Sequence, residues 1–437
     1  MSSNQLTFDL DRAHVFHSWS AQGSLNPLVI AGGAGCEVWD YEGTRYLDFS
    51  SQLVNTNIGH QHPAVIDAIK AQADILATVA PATANLPRGE AAQRILAKAG
   101  AHFGKVFFTN GGADANENAI RMARLTTGRD KVLSTYRSYH GNTGAAIVAT
   151  GDWRRVPNEF SRGHAHFFGP FEYRTEFWSD SPEQESERAL HHLERVIQSE
   201  GANSIAAILL ETVPGTAGVL VPPPGYLEGV RSLCDKYGIV LIFDEVMCGF
   251  GRTGEWFAWQ GFGVVPDLIT FAKGVNSGYV PVGGVIISES IANAFDSQVF
   301  PGGLTYSGHP LAAASIVASI DAMDAEGIVE NAAMIGRDHL GPGLAELAAK
   351  HPLIGEVRGL GVFWALDLVD DPETRQPVSA GLVGDLKKEL MARGLLPFVA
   401  DNRIHVVPPC IVTPDEVARA LKIYDEAFSA VEARTGA

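Results

Sequence analysis

The chain has 437 residues, of which 46% are apolar and 19% charged, and its formal net charge is −17 at pH 7. This length accommodates two or three domains with a substantial core, and the composition is that of a globular enzyme. Because no lysine or arginine block interrupts the negative charge, nucleic acids and anionic membrane surfaces are disfavoured as partners. A small-molecule partner is expected.

The cysteines and the first residues predict a cytoplasmic protein. Cys36, Cys234, Cys248 and Cys410 lie far apart, without the paired spacing of a zinc site or a disulfide framework. Residues 1–19 lack the basic start and continuous apolar core of a signal peptide, and no apolar run approaches the length of a membrane span.

In chain order, the first 57 residues contain a hairpin-like segment, residues 36–50, with polar turn residues at Glu42 and Gly43. From about residue 60 to residue 310, β-branched runs alternate with longer amphipathic stretches, which predicts helices covering a mostly parallel sheet. The candidate strands are KVFFTN from residue 105, KVLSTY from 131, AAIVAT from 145, IAAILLE from 205, IVLIFDEV from 239, LITFAK from 268 and GGVIIS from 283. A helix is predicted from Asn116 to Gly128.

After Pro310 the pattern changes to a long helix over 311–325, followed by helices mixed with short strands. The predicted fold class is therefore α/β, with a seven-stranded, mostly parallel sheet in a large domain over residues 58–320. A smaller α+β domain is expected from residues 321–437, with residues 1–57 packing against it.

Charged residues follow several of the predicted strands. Lys273 follows LITFA, Asp244 follows IVLIF, and Glu211 follows AAILL. Each alone is most often a solvated strand end. Because ligands collect at the carboxyl ends of strands in open α/β sheets, their joint occurrence predicts one functional site.

These residue types suit the chemistry of an aldehyde cofactor. A lysine among apolar residues is more readily neutral, so Lys273 can form a Schiff base. A carboxylate such as Asp244 keeps a pyridine nitrogen protonated, which makes the ring an electron sink. Gly111 and Gly112 precede a helix and can offer backbone amides to a phosphate. The same sequence pattern is also typical of a plain strand-to-helix turn. Tyr139 can stack on a flat ring or be a core tyrosine.

The ordered motifs FTNGGADANENAIRMAR, YHGN, LLETV, LIFDEVMCGFGRTG, FAKGVNSGY and TYSGHP resemble those of the class III, or omega, aminotransferases. These enzymes use pyridoxal 5′-phosphate (PLP) on the fold-type I scaffold, and the resemblance spans about residues 15–425. It implies that Lys273 is the Schiff-base lysine and that Asp244 pairs with the pyridine nitrogen. Tyr139 and Val246 would lie on the two faces of the ring.

The resemblance also implies a phosphate site and a homodimer. Gly112 and Ala113 would bind the phosphate through backbone amides, and Thr305 would reach the phosphate of the neighbouring subunit. The set implied for the cofactor site is completed by Gly111, His140 and Glu211.

The substrate pocket is expected to include Trp19, Val54 and the loop DNRIHVVPPC. Arg403 suits an anion clamp because a guanidinium presents a planar fork to a carboxylate or sulfonate. His405 occupies the arginine position of some relatives, and in a strand both side chains share a face, so either residue could serve.

Met247, after DEV, replaces the glutamine typical of ornithine-type and 4-aminobutyrate-type relatives, which favours the omega-amine branch. The expected reaction is a ping-pong transfer from taurine, β-alanine or a similar amine to pyruvate or 2-oxoglutarate. A PLP-dependent aminomutase or decarboxylase on the same scaffold is the alternative, followed by a non-enzymatic binding role.

Overall fold

The computed structural model describes residues 2–435. Its strands, numbered along the chain, are β1 (Gly32–Ala34), β2 (Glu37–Trp39), β3 (Arg45–Asp48), β4 (Phe103–Thr109), β5 (Lys131–Thr135), β6 (His164–Phe167), β7 (Ile205–Glu211), β8 (Val240–Asp244), β9 (Leu268–Phe271), β10 (Gly283–Ser288), β11 (Ile354–Leu360), β12 (Phe363–Asp371), β13 (Gln376–Pro377), β14 (Leu395–Leu396), β15 (Phe398–Ala400) and β16 (Arg403–Val406).

The α-helices, numbered in the same way, are α1 (Ser3–His14), α2 (Ser51–Val54), α3 (Pro63–Ile75), α4 (Leu86–Ala99), α5 (Gly112–Thr127), α6 (Gly144–Ala149), α7 (Pro182–Glu200), α8 (Tyr226–Tyr237), α9 (Ala258–Phe262), α10 (Glu289–Ala294), α11 (Pro310–Ala325), α12 (Ile328–Ile335), α13 (Gly341–Lys350), α14 (Ala380–Ala392) and α15 (Pro414–Thr435). None of the helices within residues 2–435 is long and apolar enough to cross a membrane.

A seven-stranded sheet forms the centre of the molecule, in the order β4-β10-β9-β8-β7-β5-β6. β10 runs antiparallel to both of its neighbours, and the other pairs are parallel. Every residue of β7, β8, β9 and β10 is buried. Strands covered by helices on both faces carry continuous apolar runs, and this is why the sequence pattern detects them.

One predicted strand of this sheet is wrong. The run AAIVAT from residue 145 forms α6, a helix with five consecutive buried residues, Ala145–Ala149. A short, fully buried run carries no period that separates strand from helix, and its alanines favour the helix.

The seventh strand is β6, which the sequence pattern did not predict. Its sequence, HAHF, is short and half polar, and it pairs with β5 alone at the edge of the sheet. Edge strands lack the apolar continuity of central strands, so the predicted number of strands is right although one member differs.

The helix predicted from Asn116 begins one turn earlier, at Gly112, and ends where expected, since Gly128 adopts a left-handed conformation with φ 67°. The two glycines predicted to lead into the helix therefore lie at its start. Gly111 is the N-cap and Gly112 is the first helical residue.

The two ends of the chain meet in smaller sheets. β1, β2 and β3 form antiparallel pairs, with the predicted turn between β2 and β3, and β14 joins β3 in parallel. A second sheet has the order β11-β12-β16-β15, with antiparallel pairs. β3, in the N-terminal segment, therefore pairs with β14, in the C-terminal segment. The domain bounds after residues 57 and 320 stay a prediction.

Candidate active site

Two connected cavities lie at the carboxyl ends of the central strands. The inner cavity has a volume of about 380 Å³ and reaches the start of α5, and the outer cleft has a volume of about 950 Å³ and reaches β15 and β16. Both are lined by Leu53, Tyr139, Thr216, Met247 and Lys273.

Strand register brings the inner residues together. Glu211, at the end of β7, pairs with Asp244, at the end of β8, and Asp244 pairs with Thr270 of β9. Lys273 follows β9 in a single 3₁₀ turn and has a left-handed backbone with φ 47°. The predicted meeting of Glu211, Asp244 and Lys273 is therefore observed, since all three line the inner cavity.

Asp244 is held by three donors. Its Oδ2 accepts hydrogen bonds from His140 Nδ1 and Asn116 Nδ2, both at 2.8 Å, and its Oδ1 accepts one from the Val246 amide at 3.0 Å. Asn116 is itself fixed by Thr270 Oγ1, which donates to its side-chain oxygen at 2.8 Å. These contacts hold the carboxylate in one orientation.

Asn116 was not among the predicted site residues, although it lies in the quoted helix motif. Its side chain is fully buried, and its Nδ2 also donates to the carbonyl of His140 at 2.8 Å. A buried asparagine on an otherwise apolar helix face has to satisfy its amide. An asparagine among the apolar residues of a helix face was therefore the sequence signal that could have identified Asn116 as a site residue.

Glu211 holds two backbone segments. Its carboxylate accepts hydrogen bonds from the amides of Tyr139, at 2.9 Å, and Gly215, at 2.8 Å. Burial raises the pKa of Glu211, and nearby Asp244 adds to the rise. The carboxylate therefore positions the tyrosine that lines both cavities.

Among the described residues, Lys273 is the one lysine that lines the inner cavity. Within residues 2–435 its Nζ has no hydrogen-bond or ion-pair partner, and burial lowers the pKa of Lys273 to about 8. Glu211 and Asp244 act against this shift, whereas Arg252 and Arg154 add to it. A substantial fraction of the amine is therefore neutral near pH 8.

The start of α5 forms a cradle that excludes side chains. A Cβ atom on Gly112 would lie 2.9 Å from both γ carbons of Val246, and one on Gly141, where φ is 129°, would lie 2.4 Å from the Cβ of Ala113. A Cβ on Gly111 would meet open space. Open amides at a helix N-terminus attract an anion, so the site fits a flat cofactor that carries a phosphate.

One buried polar atom of the inner site has no protein partner. His140 is 2% exposed, and its Nε2 accepts or donates no hydrogen bond within the described residues, although Nδ1 is bound to Asp244. Buried polar atoms in functional proteins usually form at least one hydrogen bond. The unpartnered Nε2 is a further sign that the cavity holds a polar ligand.

The outer cleft is lined by aromatic and cationic groups. The guanidinium of Arg154 lies 3.8 Å from the ring centroid of Tyr139, and Trp19 meets the same ring edge to face at 6.4 Å. Arg154 Nε also donates to both carboxylate oxygens of Asp152, at 3.1 and 3.0 Å. Trp19 lines the cleft as predicted, whereas Arg154 was missed.

Arg403 lines the cleft from β16. Its Nη2 donates to the Asp401 carboxylate and, at 3.5 Å, to the Thr216 carbonyl. Burial lowers the pKa of Arg403, and its side chain is only 14% exposed. A guanidinium thus lies at the cleft wall, bound to the carboxylate of the exposed Asp401.

His405 does not reach the cleft, and the prediction that it could clamp an anion is wrong. Its Nε2–H donates to the Gly215 carbonyl at 3.0 Å, and its ring stacks on Phe398 at 4.7 Å. It is fully buried, and burial lowers its pKa to about 3. A neutral, enclosed imidazole offers no charge to a substrate.

The prediction for Val54 is off by one residue. Val54 is 1% exposed and packs in an apolar cluster with Val213, Val219 and Phe363. Its neighbour Leu53 is 49% exposed and lines both cavities. α2 is kinked at Gln52 and Leu53, whose φ and ψ angles are not helical, so simple alternation does not give the inward-facing residue.

Thr305 lies on an exposed turn that lines neither cavity of its own chain. The other residues predicted for the cofactor site all line the inner cavity: Gly111, Gly112, Ala113, Tyr139, His140, Glu211, Asp244, Val246 and Lys273.

Comparison with known sequences identifies relatives over almost the whole chain. The pattern of the family described as aminotransferase class-III matches residues 19–428. The taurine–pyruvate aminotransferase of Bilophila wadsworthia is 32% identical over 98% of both chains. The putrescine–pyruvate aminotransferase of Pseudomonas aeruginosa is 35% identical over 97% of this chain and 96% of its own.

Solved structures agree. The taurine:2-oxoglutarate aminotransferase from Bifidobacterium kashiwanohense, solved with PLP and glutamate, superposes with a TM-score of 0.95 at 42% identity, covering 99% of each chain. An amine transaminase from an uncultivated Pseudomonas species, in its PLP-bound form, gives 0.90 at 36% identity over 96% of this chain and 98% of its own.

None of these four relatives is named as an aminomutase or a decarboxylase, so the alternative reaction receives no support. Both the sequence pattern and the fold instead place the chain among enzymes that transfer amino groups. The chain belongs to the class III aminotransferase family and is a PLP-dependent omega-aminotransferase of fold type I.

Proposed function

We propose that the enzyme transfers the amino group of an omega-amino acid such as taurine or β-alanine to a keto acid, pyruvate or 2-oxoglutarate, in a ping-pong reaction. Four arginines line the cleft that opens onto Lys273, and the observation that carries this proposal is the placement of two of them, Arg154 and Arg403. The names of two relatives, a taurine–pyruvate and a taurine:2-oxoglutarate aminotransferase, support the same substrate class.

The inner residues are assigned to the cofactor by their positions. PLP, when bound, supplies an aldehyde that takes up the amino group and a ring that withdraws electrons from the reacting carbon. The amides of Gly111, Gly112 and Ala113 would hold its phosphate, and Asp244 would hold a proton on its ring nitrogen. Tyr139 and Val246 would enclose the ring, and the buried His140 and Glu211 would orient Asp244 and Tyr139.

Lys273 has two tasks in this proposal. Its neutral Nζ would hold the cofactor by condensing with its aldehyde, with loss of water, and an incoming amine would take its place. The freed Nζ then takes a proton from the substrate carbon that bears the amino group and returns it to C4′ of the cofactor. A pKa near 8 suits both tasks, because the amine can lose and gain a proton near neutral pH.

The two arginines are assigned to the anionic ends of the substrates. Arg154 is stacked on Tyr139, the residue that would cover the cofactor ring, so an anion bound there remains close to the reacting carbon. Arg403 lies at the β16 wall, where a substrate carboxylate or sulfonate can replace Asp401. Charge-assisted pairs of this kind are directional and select for anionic substrates.

We further propose a cytoplasmic homodimer in which Thr305 of each chain contacts the phosphate held by the partner. The exposure of Thr305, away from both cavities of its own chain, supports this arrangement. Light scattering would give the mass of the assembly. Mixing inactive Lys273→Ala protein with a Thr305→Val variant of weakened cofactor affinity should restore activity by subunit exchange, because one mixed site then keeps both residues. Monomeric active enzyme would refute the dimer.

The substrate proposal is tested by a half-reaction screen of the holoenzyme. Single amines are added, and the visible absorbance of the bound cofactor is followed. Taurine and β-alanine should remove this absorbance, and a single keto acid should restore it. Loss of absorbance with α-amino acids alone, and none with any omega-amino acid, would contradict the proposed donor class.

A further inference from the structure

Arg252 is a buried cation at the junction of three chain segments. It lies in the loop after β8 and is fully buried. It forms no ion pair among residues 2–435, and the carboxylate of Asp48 acts on it only from beyond ion-pair distance. Its Nη2 donates to Asn57 Oδ1 at 2.7 Å and to Ser51 Oγ at 3.3 Å, and its Nη1 donates to the carbonyls of Val362 and Pro408. An unpaired buried guanidinium is costly to a fold, so its retention calls for a reason.

The contacts lead from Arg252 to the backbone of the lysine. Asn57, which accepts from Arg252, donates through Nδ2 to the Phe250 carbonyl at 2.7 Å. A Cβ on Gly274 would lie 2.3 Å from this same Nδ2, so the amide of Asn57 rests directly on the residue that follows Lys273. The Arg252 guanidinium therefore orients the side chain that supports the lysine turn.

That turn needs support because its backbone is strained. Lys273 has φ 47°, a left-handed conformation that non-glycine residues seldom adopt and that persists where neighbouring atoms enforce it. Gly274 leaves room for Asn57, and the segment is tied to the N-terminal part of the chain again where Ser277 Oγ accepts from the Ile58 amide at 3.0 Å.

We infer that Arg252 is a positioning residue for the reaction, because through Asn57 it fixes the turn that presents Lys273. Its unpaired charge also contributes to the electrostatic potential at the lysine amine. The charged groups that act on this amine are Glu211, Asp244, Arg252 and Arg154. Of the two cations, Arg154 forms an ion pair with Asp152, whereas Arg252 forms none within residues 2–435.

The inference rests on the assignment of Lys273 as the Schiff-base lysine, which is checked separately. Borohydride reduction of the parent holoenzyme, followed by peptide mass spectrometry, should attach the cofactor to Lys273. Attachment elsewhere would remove the basis of both proposals, whereas attachment at Lys273 leaves the Arg252 result to be judged alone.

The test compares Arg252→Gln, which removes the charge, with Arg252→Lys, which keeps the charge but not the planar fork. Arg94→Gln, which removes an arginine from the exposed pair with Asp321, is the control. We expect Arg252→Gln to slow the half-reactions of anionic and neutral amines alike by at least tenfold, and to raise the pH at which the cofactor absorbance changes. Arg252→Lys should return the pH at which the cofactor absorbance changes to the value of the parent, but the half-reactions should stay slow.

A lower melting temperature for Arg252→Gln, with the parent's half-reaction rates and pH profile, would overturn the inference and leave Arg252 a purely structural residue. If Arg252→Gln does not fold, Gly274→Ala tests the same relay, because the added methyl displaces the Asn57 amide without touching the arginine. Unchanged half-reaction rates in Gly274→Ala would also overturn it.

Discussion

The inner cavity and the outer cleft are built from different kinds of structure. Asp244 and Glu211 end strands of the central sheet and are at most 7% exposed, with their carboxylates bound to the groups around them. In the cleft, Trp19 is 56% exposed and Trp153 is 67% exposed, and Arg154 and Arg403 are bound to acidic residues on loops. The pairing register of strands can hold in place the residues that perform the chemistry common to a family. Residues that select the substrate can lie on loops, which change more easily.

The largest expected effect comes from the inner cavity. Lys273→Ala should abolish turnover while the protein stays folded, because no other lysine lines that cavity in the part of the chain described. Steady-state assays and circular dichroism measure the two properties. Lys70→Ala, at an exposed helix position paired only with Asp67, should keep full activity.

Turnover retained in Lys273→Ala, without rescue by added amine, would show that the nucleophile lies elsewhere. Partial rescue by a small primary amine is compatible with the proposed proton transfer, because the amine can occupy the place of the missing Nζ.

The next effect concerns the ring partner. Asp244→Asn should keep the cofactor attached but slow proton removal by several orders of magnitude, since an amide cannot hold a proton on the ring nitrogen. Stopped-flow half-reactions measure the rate, and the exposed Asp321→Asn serves as the control. A loss below about tenfold, which corresponds to about 1.4 kcal/mol of barrier, would exclude Asp244 from this role.

The contrast between the two regions also explains which parts of the structure the sequence could predict. Asp244 and Lys273 each follow a continuous apolar run, and such runs mark buried parallel strands whose ends meet at one edge. The same criterion failed at residues 145–150, where a buried run forms α6 instead of a strand. A continuous apolar run indicates that a segment is buried. Without a periodic pattern of apolar residues, it does not indicate whether the segment is a strand or a helix.

Sequence reasoning failed more often in the cleft. Arg154 and Arg155 are adjacent in one 3₁₀ helix, yet Arg154 stacks on Tyr139 while Arg155 bonds to Glu159. Arg403 and His405 share a face of β16, as predicted, but Phe398 covers the histidine alone. Long-range packing decides these cases, and a single sequence does not display it.

A smaller effect is expected at the cleft wall. Arg403→Met should raise the KM for keto acids by about 10-fold to 150-fold, since a charge-assisted pair contributes about 1.5 to 3 kcal/mol. A neutral amine such as 1-phenylethylamine should react unchanged in its own half-reaction. Arg155→Met provides a matched loss of charge outside the predicted anion site. Equal losses for neutral and anionic substrates would indicate that Arg403 is structural.

The smallest effect is expected at His405, which the structure places outside the cleft. His405→Phe should lose one buried hydrogen bond, about 1 kcal/mol of the free energy of unfolding, without changing the ratio of anionic to neutral substrate rates. Because the pKa of His405 is about 3 when folded and near 6.5 when unfolded, the unfolded parent takes up a proton as the pH falls through this range.

The parent should therefore lose stability between about pH 6.5 and pH 3, and His405→Phe should lose less over the same interval. Urea unfolding at pH 7 and pH 4.5 measures the difference. A larger loss in the variant, or altered substrate selectivity, would return His405 to the list of substrate-binding candidates.

In the proposed function, residues of the inner cavity carry out the reaction, and residues of the outer cleft recognise the anionic group of the substrate. The most direct test is the ratio of single-turnover half-reaction rates for taurine and 1-phenylethylamine in the parent, Arg154→Met and Asp244→Asn enzymes. Arg154→Met should lower this ratio by at least tenfold, whereas Asp244→Asn should slow both amines and leave the ratio as in the parent. An unchanged ratio in Arg154→Met, or an equal fall in Asp244→Asn, would contradict the claim.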